Sequence, residues 1–338
     1  MLISIIVPVY NRADEIDEFL LSFCRQKSDN FQILIVDDGS TDDLREVIKK
    51  YEDKLKMKYV FQQNKGPGAA RNLGMEKADG DWFVFIDSDC TVPSDYIKNL
   101  ENHIKKDKCD AFGGPDTYRE DFPPFLKAVN YSMTSFIGTG GTRGTKGKSL
   151  GKYYPRSFNM GIKREVFLKI GGMNKLRHGQ DMDFSNRIYK AGFYIKYFND
   201  VFVYHKRRTS LKRFFKQIFN WGVTRINLGR IDRNMLKPVH GLPFFVLLIF
   251  VISFLLSIFL NVFKYIFGFE IIITFIIIIF AFTQATMKYK SLKVGLLSVI
   301  TLLTQVIAYG MGFCFGLVKS LFIKKGSSIT GFTKKYYK

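Results

Sequence analysis

The sequence predicts an α/β fold, a mostly parallel sheet flanked by helices, followed by hydrophobic helices in a membrane. Two observations lead to this prediction. Short apolar runs alternate with helical stretches over residues 1–208, and such alternation is typical of parallel strands joined by crossover helices. Beyond residue 238 long runs are almost free of charge, as helices within a bilayer require.

The predicted strands are short apolar runs bounded by turn residues, at 4–9, 31–36, 57–61 and 82–86. The predicted helices between and after them cover 14–25, 42–51, 68–78 and 94–105. Ser94 follows Pro93 and is a suitable N-cap for the last of these helices. In a parallel sheet of this kind, ligands bind at the carboxyl ends of the strands.

Polar side chains follow three of the four predicted strands. These strand ends read Pro8-Val9-Tyr10-Asn11, Asp37-Asp38-Gly39-Ser40 and Asp87-Ser88-Asp89. Each can be explained by turn chemistry alone. Together they bring carboxylates to one edge of the sheet, where a divalent cation with a phosphate ligand would neutralise their repulsion. Oxygen ligands favour Mg²⁺ or Mn²⁺.

A glycine-rich turn opens the third predicted helix. Gly66-Pro67-Gly68 precedes Arg71 by less than two turns of helix. The amino end of a helix with glycines beside it suits a phosphate or a ribose, although a simple loop remains the alternative.

The C-terminal region, residues 239–323, predicts two to three membrane spans. Residues 241–263 carry no charge, 265–283 carry only Glu270, and 294–318 are uncharged. Gly312 and Gly316 in the last run have the spacing at which membrane helices pack closely. Buried helices of a soluble core are the alternative, but they would need more covering protein than the chain contains.

The net charge of +21 is concentrated ahead of the first span. Apolar residues interleave with the basic ones at helical spacing, which predicts an amphipathic interfacial segment over 209–238 on an anionic membrane surface. The basic residues are Lys206, Arg207, Arg208, Lys212, Arg213, Lys216, Arg225, Arg230, Arg233 and Lys237. We expect no nucleic-acid partner, because no nucleic-acid-binding module accompanies this charge.

The charge distribution also bears on topology. The first residues resemble no secretory signal, so we expect the N-terminal domain in the cytosol. Lys288, Lys290 and Lys293 suit a cytosolic loop, yet three spans would place the basic tail, 324–338, outside. Either the last run does not cross fully or the charge rule fails. The four cysteines have no metal-binding or redox spacing and are expected to be free thiols.

The motifs together resemble glycosyltransferase family 2, inverting enzymes of GT-A fold. In family order they read SIIVPVYNRADEIDEFL, ILIVDDGSTDD, NKGPGAARNLG, FVFIDSDC, FNMGIKREVFLKIGGMN and GQDMDFSNRIYKAGF. The resemblance extends from residue 3 to about residue 208, which predicts a GT-A domain over 1–208.

The resemblance implies roles for individual residues. Donor-binding residues would be Pro8, Tyr10, Asn11, Asp38, Arg71 and Asp87. Among them, Pro8 and Tyr10 would lie along the nucleotide base, Asp38 would bond the base edge, and Asp87 would face the ribose and the donor sugar. Asp89 would coordinate Mn²⁺ or Mg²⁺ through the diphosphate. His205 would complete the metal site as in some relatives, or else pack as a strand-end histidine.

On the acceptor side the resemblance implies a general base. Asp181 would deprotonate the acceptor hydroxyl as it attacks the anomeric carbon, which inverts the configuration. Gln180, where the family often has glutamate, and Asn159 would lie on the acceptor side. The predicted enzyme is a multi-pass membrane protein that moves a sugar from a nucleotide-sugar, UDP being the commonest nucleotide, to a lipid-linked oligosaccharide, a glycolipid or a polysaccharide.

Three alternatives remain. A polyprenyl-phosphate glycosyl synthase would share the fold and the membrane helices, but its anionic acceptor needs no base, so Asp181 argues for a hydroxyl acceptor. The sequence GTKGKS at 144–149 is close to the phosphate-binding loop of an NTPase, but Thr142 stands where the first glycine belongs. A non-catalytic membrane protein would leave the set of acids unexplained.

Overall fold

A seven-stranded, mostly parallel sheet forms the centre of the N-terminal domain, which confirms the predicted fold class. The computed structural model describes residues 1–140, 152–206, 209–324 and 327–332. The strands are β1 Ile3–Val9, β2 Phe31–Asp37, β3 Met57–Phe61, β4 Trp82–Ile86, β5 Cys90–Thr91, β6 Ala111–Gly113, β7 Asp116–Thr117, β8 Asn159–Lys163, β9 Ile195–Tyr197 and β10 Val203–His205. Segment 144–149, Arg207, Arg208 and the tail lysines at 334, 335 and 338 lie outside the described residues.

The order of strands in this sheet is β3-β2-β1-β4-β8-β6-β9. The first four are mutually parallel, and β8 runs antiparallel to both of its neighbours. A second sheet has the order β5-β10-β7. It lies just beyond the end of β4, because β5 begins four residues after that strand ends.

The helices are α1 Ala13–Phe23, α2 Leu44–Lys49, α3 Pro67–Lys77, α4 Tyr96–Lys106, α5 Pro124–Thr134, α6 Phe136–Thr139, α7 Arg164–Ile170, α8 Gln180–Lys190, α9 Leu211–Ile231, α10 Leu242–Ser257, α11 Asn261–Tyr289 and α12 Leu292–Ser320. The predicted N-cap Ser94 is wrong, because α4 begins at Tyr96 with Asp95 before it. α2 is shorter than predicted, since the Asp43 side chain accepts from the Arg45 N–H and caps the helix there.

Each face of the large sheet buries its own apolar cluster, because successive side chains of a strand point to opposite faces. Ile5 and Val7 of β1 pack with Phe19 of α1 and Leu100 of α4. Ile6, between them in the sequence, packs on the other face in a cluster that includes residues of α3, α7 and α8. The domain therefore has the three layers that the alternation of elements predicts.

A third cluster joins the domain to the C-terminal region. We call α5, α9 and α12 the helical layer. Phe214, Ile218 and Val223 of α9 are buried with Val129 of α5 and Phe313 of α12. The apolar face of α9, predicted to lie in the membrane interface, is therefore covered by α12 instead of by lipid.

Glycines set how closely α9 and α12 approach each other. A Cβ on Gly222 of α9 would lie 2.5 Å from the Phe313 nitrogen, and one on Gly312 would lie 2.0 Å from the Phe219 carbonyl oxygen. Gly316 lies against Val223 and Ile226 in the same way. The predicted close packing through Gly312 and Gly316 therefore occurs within the chain, against α9.

In the described part of the chain, three helical segments are long and apolar enough to cross a membrane: Pro238–Ser257, Asn261–Tyr289 and Leu292–Ser320. We call α10 and α11 the hairpin. The first predicted run, 241–263, is interrupted, because α10 ends at Ser257 and α11 begins at Asn261. The intervening residues 258–260 are apolar, so neither charge nor hydropathy could have located this break.

Candidate active site

The loops after β1 and β2 are tied to each other. Asn11 has a left-handed backbone with φ of 50°, which asparagine tolerates better than most residues. Its N–H donates to Ser40 Oγ at 3.0 Å, and its side-chain oxygen accepts from the Thr41 N–H at 2.7 Å. Pro8 is buried inside β1, whereas Tyr10 is half-buried just beyond the strand. Of these two residues, Tyr10 is the better placed to reach a base.

Asp38 is fully buried and holds the loop that leads into α3. One carboxylate oxygen accepts from the Lys65 N–H at 2.9 Å and from Gln62 Nε2 at 2.6 Å, and the other accepts from the Gly66 N–H at 2.8 Å. The predicted contact between Asp38 and a base edge would require these bonds to change. In this structure Asp38 positions the glycine-rich turn.

Arg71 and Asp87 form an ion pair at the end of β4. Arg71 projects from α3 and is 4% exposed, while the Asp87 side chain is 32% exposed. A buried guanidinium is stable only with such a partner. The structure thus brings together two of the predicted donor-binding residues, with the carboxylate on the open side.

The second sheet brings His205 to Asp89. In the antiparallel pairing of β10 with β5, His205 lies opposite Cys90, and its Nε2 is 3.3 Å from Asp89 Oδ1. Its Nδ1 is 3.4 Å from Asp116 Oδ2 on β7. Burial lowers the pKa of His205, but the carboxylates of Asp89 and Asp116 outweigh burial and raise the pKa to about 9.

The residues around Asp89 suit a hard divalent cation. Asp89, Cys90 and His205 offer ligand atoms that all lie within 4.8 Å of one another. Burial, followed by the nearby carboxylates, raises the pKa of Cys90 well above its ordinary value, so the thiol stays neutral and is a poor ligand. The carboxylate and the imidazole remain as donors, a set that Mn²⁺ accepts. A metal on His205 would have to displace its proton.

Arg12, at the start of α1, partly neutralises Asp89. Its guanidinium is 3.4 Å from Asp89 Oδ2 and is also paired with Glu15. Burial is the largest cause of the raised pKa of Glu15, with Arg12 acting in the opposite direction and Asp89 in the same one. Asp89 therefore lies between two cationic side chains, Arg12 and protonated His205.

Asp181 lies in the first turn of α8, close to the opening turn of α3. A Cβ on Gly68 would lie 2.3 Å from Gln180 Nε2, so the two helix starts are in direct contact. Gln180 Nε2 also donates to the Asn174 carbonyl at 3.1 Å. Asp181 is 19% exposed, and Arg156 Nη1 is 3.8 Å from its Oδ2. The predicted base is thus partly exposed, in the helix turn next to the predicted phosphate-binding turn.

A second arginine reaches this place from the helical layer. α9 packs on the start of α8, since a Cβ on Gly179 would lie 2.6 Å from Thr224 Cγ2. The next residue, Arg225, is half-buried and hydrogen-bonds Tyr309 of α12. Burial lowers the pKa of Arg225, Arg156 adds to this effect, and Tyr309 and Asp181 oppose it. Arg156 is therefore the nearer cation to Asp181, and Arg225 is close enough to both groups to interact with them electrostatically where the domain meets α12.

Asn159 lies inside the protein. It has no exposed surface, its Oδ1 accepts from the Tyr96 hydroxyl at 2.7 Å, and its Nδ2 donates to the Val201 carbonyl at 2.8 Å. These bonds join β8 to α4 and to the segment before β10. Its side chain acts as a scaffold in this structure, in place of the predicted acceptor contact.

Sequence reasoning missed four residues of the site: Arg12, Asp116, Arg156 and Arg225. Arg12 lies within the first motif, and Asp116 follows Gly113-Gly114-Pro115, a run that could have marked a turn next to the site. Arg225 was assigned to the membrane surface with the other basic residues. Its partners come from distant parts of the chain, so no local pattern identifies it.

Comparisons with known proteins find similarity to glycosyltransferases. Residues 4–171 match the family model described as glycosyl transferase family 2. An uncharacterized glycosyltransferase of Haemophilus influenzae is 42% identical over 110 residues, which are 30% of this chain and 44% of that protein. The glycosyltransferase AglE of Haloferax volcanii is 26% identical over 263 residues, which are 74% of this chain and 81% of the relative.

A solved structure with a similar fold is the mannosyltransferase PcManGT of Pyrobaculum calidifontis in complex with GDP-Man and Mn²⁺. Its TM-score is 0.50 at 19% identity, over 65% of this chain and 61% of that one. A likeness at this identity supports the GT-A fold. The matched segment is less than half of the Haemophilus relative and less than a fifth of three further bacterial relatives.

Proposed function

The chain belongs to glycosyltransferase family 2, and we propose that it transfers a sugar from a nucleotide-sugar to a hydroxyl group of a lipid-linked acceptor. One observation carries the proposal. Asp87 and Asp89 both follow β4 at the carboxyl-end edge of the sheet, where Asp87 pairs with Arg71 and Asp89 pairs with His205. Binding of a nucleotide diphosphate requires such a combination of cationic, acidic and metal-binding groups.

The donor binds across the ends of β1, β2 and β4. Tyr10 contacts the base, Asp87 faces the ribose, and the turn held by Asp38 presents the amino end of α3 to the phosphates. UDP is the proposed nucleotide because it is the commonest in the family. Asp89 and His205 would hold Mn²⁺ or Mg²⁺, which when bound stabilises the negative charge on the leaving diphosphate.

Asp181 acts as the general base. Its carboxylate takes the proton of the acceptor hydroxyl while the acceptor oxygen bonds to the anomeric carbon. The bond from that carbon to the diphosphate breaks on the opposite face, so the configuration inverts. The partly open position of Asp181 beside the start of α3 supports this role, since a base must come within hydrogen-bond reach of its proton.

The acceptor carries an anionic group next to its reacting hydroxyl. Arg156 lies 3.8 Å from Asp181, and Arg225 lies near both at the junction with α12. One carboxylate does not neutralise two half-buried cations, and such cations are costly without an anion. Guanidinium groups bind phosphates in a bidentate manner. A lipid-linked diphosphate at the membrane surface fits both the charge and the place. The domain then faces the cytosol, and the membrane helices keep it beside its acceptor.

A polyprenyl-phosphate glycosyl synthase is a second candidate, favoured by the same two arginines. A lipid monophosphate held between them could itself attack the anomeric carbon. Asp181 argues against this reaction, because an anionic nucleophile needs no base and would be repelled by a carboxylate. The two candidates therefore differ in whether transfer depends on Asp181.

The first experiment measures nucleotide release by the detergent-purified full chain with UDP-, GDP- and dTDP-sugars and Mn²⁺ or Mg²⁺. We expect one donor to release nucleotide in a metal-dependent reaction that Asp89→Ala abolishes. Asp53→Asn, which changes an exposed acid far from the site, is the control and should keep full activity. Release that survives metal removal and Asp89→Ala would contradict the proposal.

The acceptor proposal is tested with Arg225→Gln and with a panel of lipid diphosphate sugars and lipid monophosphates. Losing one charge-assisted contact should raise the acceptor KM about tenfold, equivalent to roughly 1.4 kcal/mol, and leave the donor KM unchanged. Lys237→Gln, an exposed basic residue of the same region, is the control. Equal effects of both variants would mean that Arg225 contributes only general surface charge. Transfer to lipid monophosphate that survives Asp181→Asn would identify the synthase.

A further inference from the structure

We propose that α12 lies in the plane of the membrane, between the catalytic domain and the lipid, and that the chain crosses the bilayer through the hairpin alone. The partner of its outer face is the lipid surface. This proposal is independent of the donor and acceptor assigned above, since it depends on the contacts of α12 with the rest of the protein.

One face of α12 contacts the domain side of the protein along nearly its whole length. About a third of the way along, Thr301 Oγ1 is 2.6 Å from Ser132 Oγ of α5. In its middle, Gln305 Nε2 donates to the Gly138 carbonyl of α6. Toward its end, Gly316 lies against α9. A helix perpendicular to the membrane would contact the domain only at one end.

α9 fixes the direction of α12. The two helices run parallel, since Phe219 lies against Gly312, Val223 against Gly316, and Arg230 Nη2 donates to the Ile323 carbonyl at 2.9 Å. α9 itself lies along the domain, because its start follows β10 and its end, at Asp232, bonds Asn186 of α8 at 2.8 Å. α9 carries Lys212, Arg213, Lys216, Arg225 and Arg230. Such a helix stays out of hydrocarbon, so the helix beside it lies at the membrane surface.

The other face of α12 is an exposed apolar stripe. Its residues recur every three, four or seven positions, as one side of a helix requires. They are Leu292, Leu296, Ile300, Leu303, Ile307, Met311 and Val318. No charged residue interrupts the sequence between Lys293 and Lys319. The stripe is about 39 Å long at 1.5 Å per residue, far too large an apolar surface to leave in water.

The position of the hairpin indicates that lipid covers this stripe. Gly310 lies against Pro243 and Leu247 in the first two turns of α10, and Gly295 lies against Phe282 and Thr286 near the end of α11. Both of these contacts lie near the open end of the hairpin, and the described residues of α10 and α11 leave almost all of their apolar surface exposed. Since the hairpin must enter the bilayer, the outer face of α12 lies at the same boundary.

The residues just before and just after α12 both contact helices on the domain side. Tyr289, just before α12, accepts a hydrogen bond from Asn130 of α5 at 2.9 Å. After α12, Ile329 exchanges hydrogen bonds of 2.8 Å with Asn227, and the Phe332 N–H donates to Asn220 Oδ1 at 3.0 Å. The basic residues at both ends therefore lie on one side of the membrane. This removes the conflict that three spans create with the positive-inside rule.

The sides of the two termini test the proposal directly. Epitope tags placed before Met1 and after Lys338 of the full chain are digested with protease in sealed membrane vesicles of known orientation. We expect both tags to be cleaved in the same vesicles and both to be protected in vesicles of the other orientation. Cleavage of the two tags in opposite vesicles would establish a third crossing and overturn the proposal.

Depth measurements separate an in-plane helix from a re-entrant one. Nitroxide labels are placed at Leu296, Ile307 or Val318, on the stripe, in full-length protein in lipid vesicles, with Cys24 and Cys314 replaced by serine. We expect the three labels at one depth to within about 5 Å, a single turn of helix. A control label at Phe275, on the exposed middle of α11, should lie much deeper. An Ile307 label deeper than both others by about 16 Å, the rise of eleven residues, would overturn the proposal.

Discussion

The catalytic edge of the sheet and the helical layer beneath the domain use their residues in contrasting ways. At the edge, individual polar atoms make specific ion pairs, as in the Arg71–Asp87 pair and the contact of His205 with Asp89. In the layer, packing depends on shape, and glycines let the α9 and α12 backbones touch. A change of one atom should therefore alter chemistry at the edge, whereas a change of volume should alter stability in the layer.

The largest effect is expected at the base. Asp181→Asn keeps the size of the side chain but removes its ability to take a proton, so transfer should fall by about 10²- to 10⁴-fold. Donor affinity should not change, because Asp181 lies on the acceptor side. Initial transfer rates and donor-binding calorimetry on the same preparation measure both. If binding and turnover fall together, Asp181 holds the fold or the donor and is not the base.

Asp116 is expected to act through His205. Its carboxylate, 3.4 Å from Nδ1, orients the imidazole so that Nε2 points to Asp89. Removing such an orienting group typically costs about 10- to 100-fold in metal affinity. Asp116→Asn should raise the Mn²⁺ concentration for half-maximal activity by this factor and leave the rate at saturating Mn²⁺ nearly intact.

The control for this prediction is Asp121→Asn, which changes an exposed acid paired with Arg119. It should leave the Mn²⁺ dependence as it is. A rate that Asp116→Asn lowers equally at every Mn²⁺ concentration would show that Asp116 supports the structure of the second sheet and does not tune the metal site.

In the layer, the corresponding test changes volume. Gly312→Ala would place a methyl group 2.0 Å from the Phe219 carbonyl oxygen, so the two backbones must move apart, at a cost of about 1–3 kcal/mol. Gly268→Ala on α11 is matched in chemistry, and among the described residues nothing lies within 4 Å of the added methyl. It should be neutral or stabilise by up to about 1 kcal/mol.

Thermal unfolding in detergent compares the two variants. The account predicts a lower Tm for Gly312→Ala and an equal or higher Tm for Gly268→Ala. Equal Tm values for both would mean that the α9–α12 contact adds nothing to the stability of the protein. Neither change touches the catalytic edge, so the folded Gly312→Ala protein should keep its donor affinity.

The smallest effect is expected where the C-terminal segment binds α9. Asn227→Ala removes the two hydrogen bonds to Ile329, each of which contributes roughly 1 kcal/mol. Segment 327–332 should then be cleaved faster by protease, whereas Asn234→Ala, which changes an exposed side chain just after α9, should not alter cleavage. Equal cleavage of both variants would show that the other contacts of the segment, such as the bond from the Phe332 N–H to Asn220, are enough to hold it.

The same contrast explains how far the sequence predicted the protein. The strand ends are local features, so Asp87, Asp89 and Asp181 could be located from motifs that each occupy a few consecutive residues. Partners that meet through strand pairing could not, and Asp116 reaches His205 only because β7 and β10 are neighbours. Arg225 likewise approaches Asp181 through helix packing.

In the helical layer, the composition of α12 does not reveal whether the helix contacts protein or lipid. The uncharged run 294–318 reads as a membrane span, because periodicity cannot distinguish a face that touches protein from one that touches lipid. Only the contacts with α5 and α9 reveal that half of α12 is covered. The glycines that look suited to membrane-helix packing pack instead against an amphipathic helix on the domain side.

Transfer of radiolabelled sugar from the nucleotide-sugar donor to membrane lipids, by the full chain in vesicles, is the decisive test of the proposed function. We expect label in the organic-solvent extract, formed with a divalent ion and lost in Asp89→Ala and Asp181→Asn. Label that appears only in water-soluble products, or lipid label that persists in both variants, would contradict the claim that this edge serves a lipid-linked acceptor at the membrane.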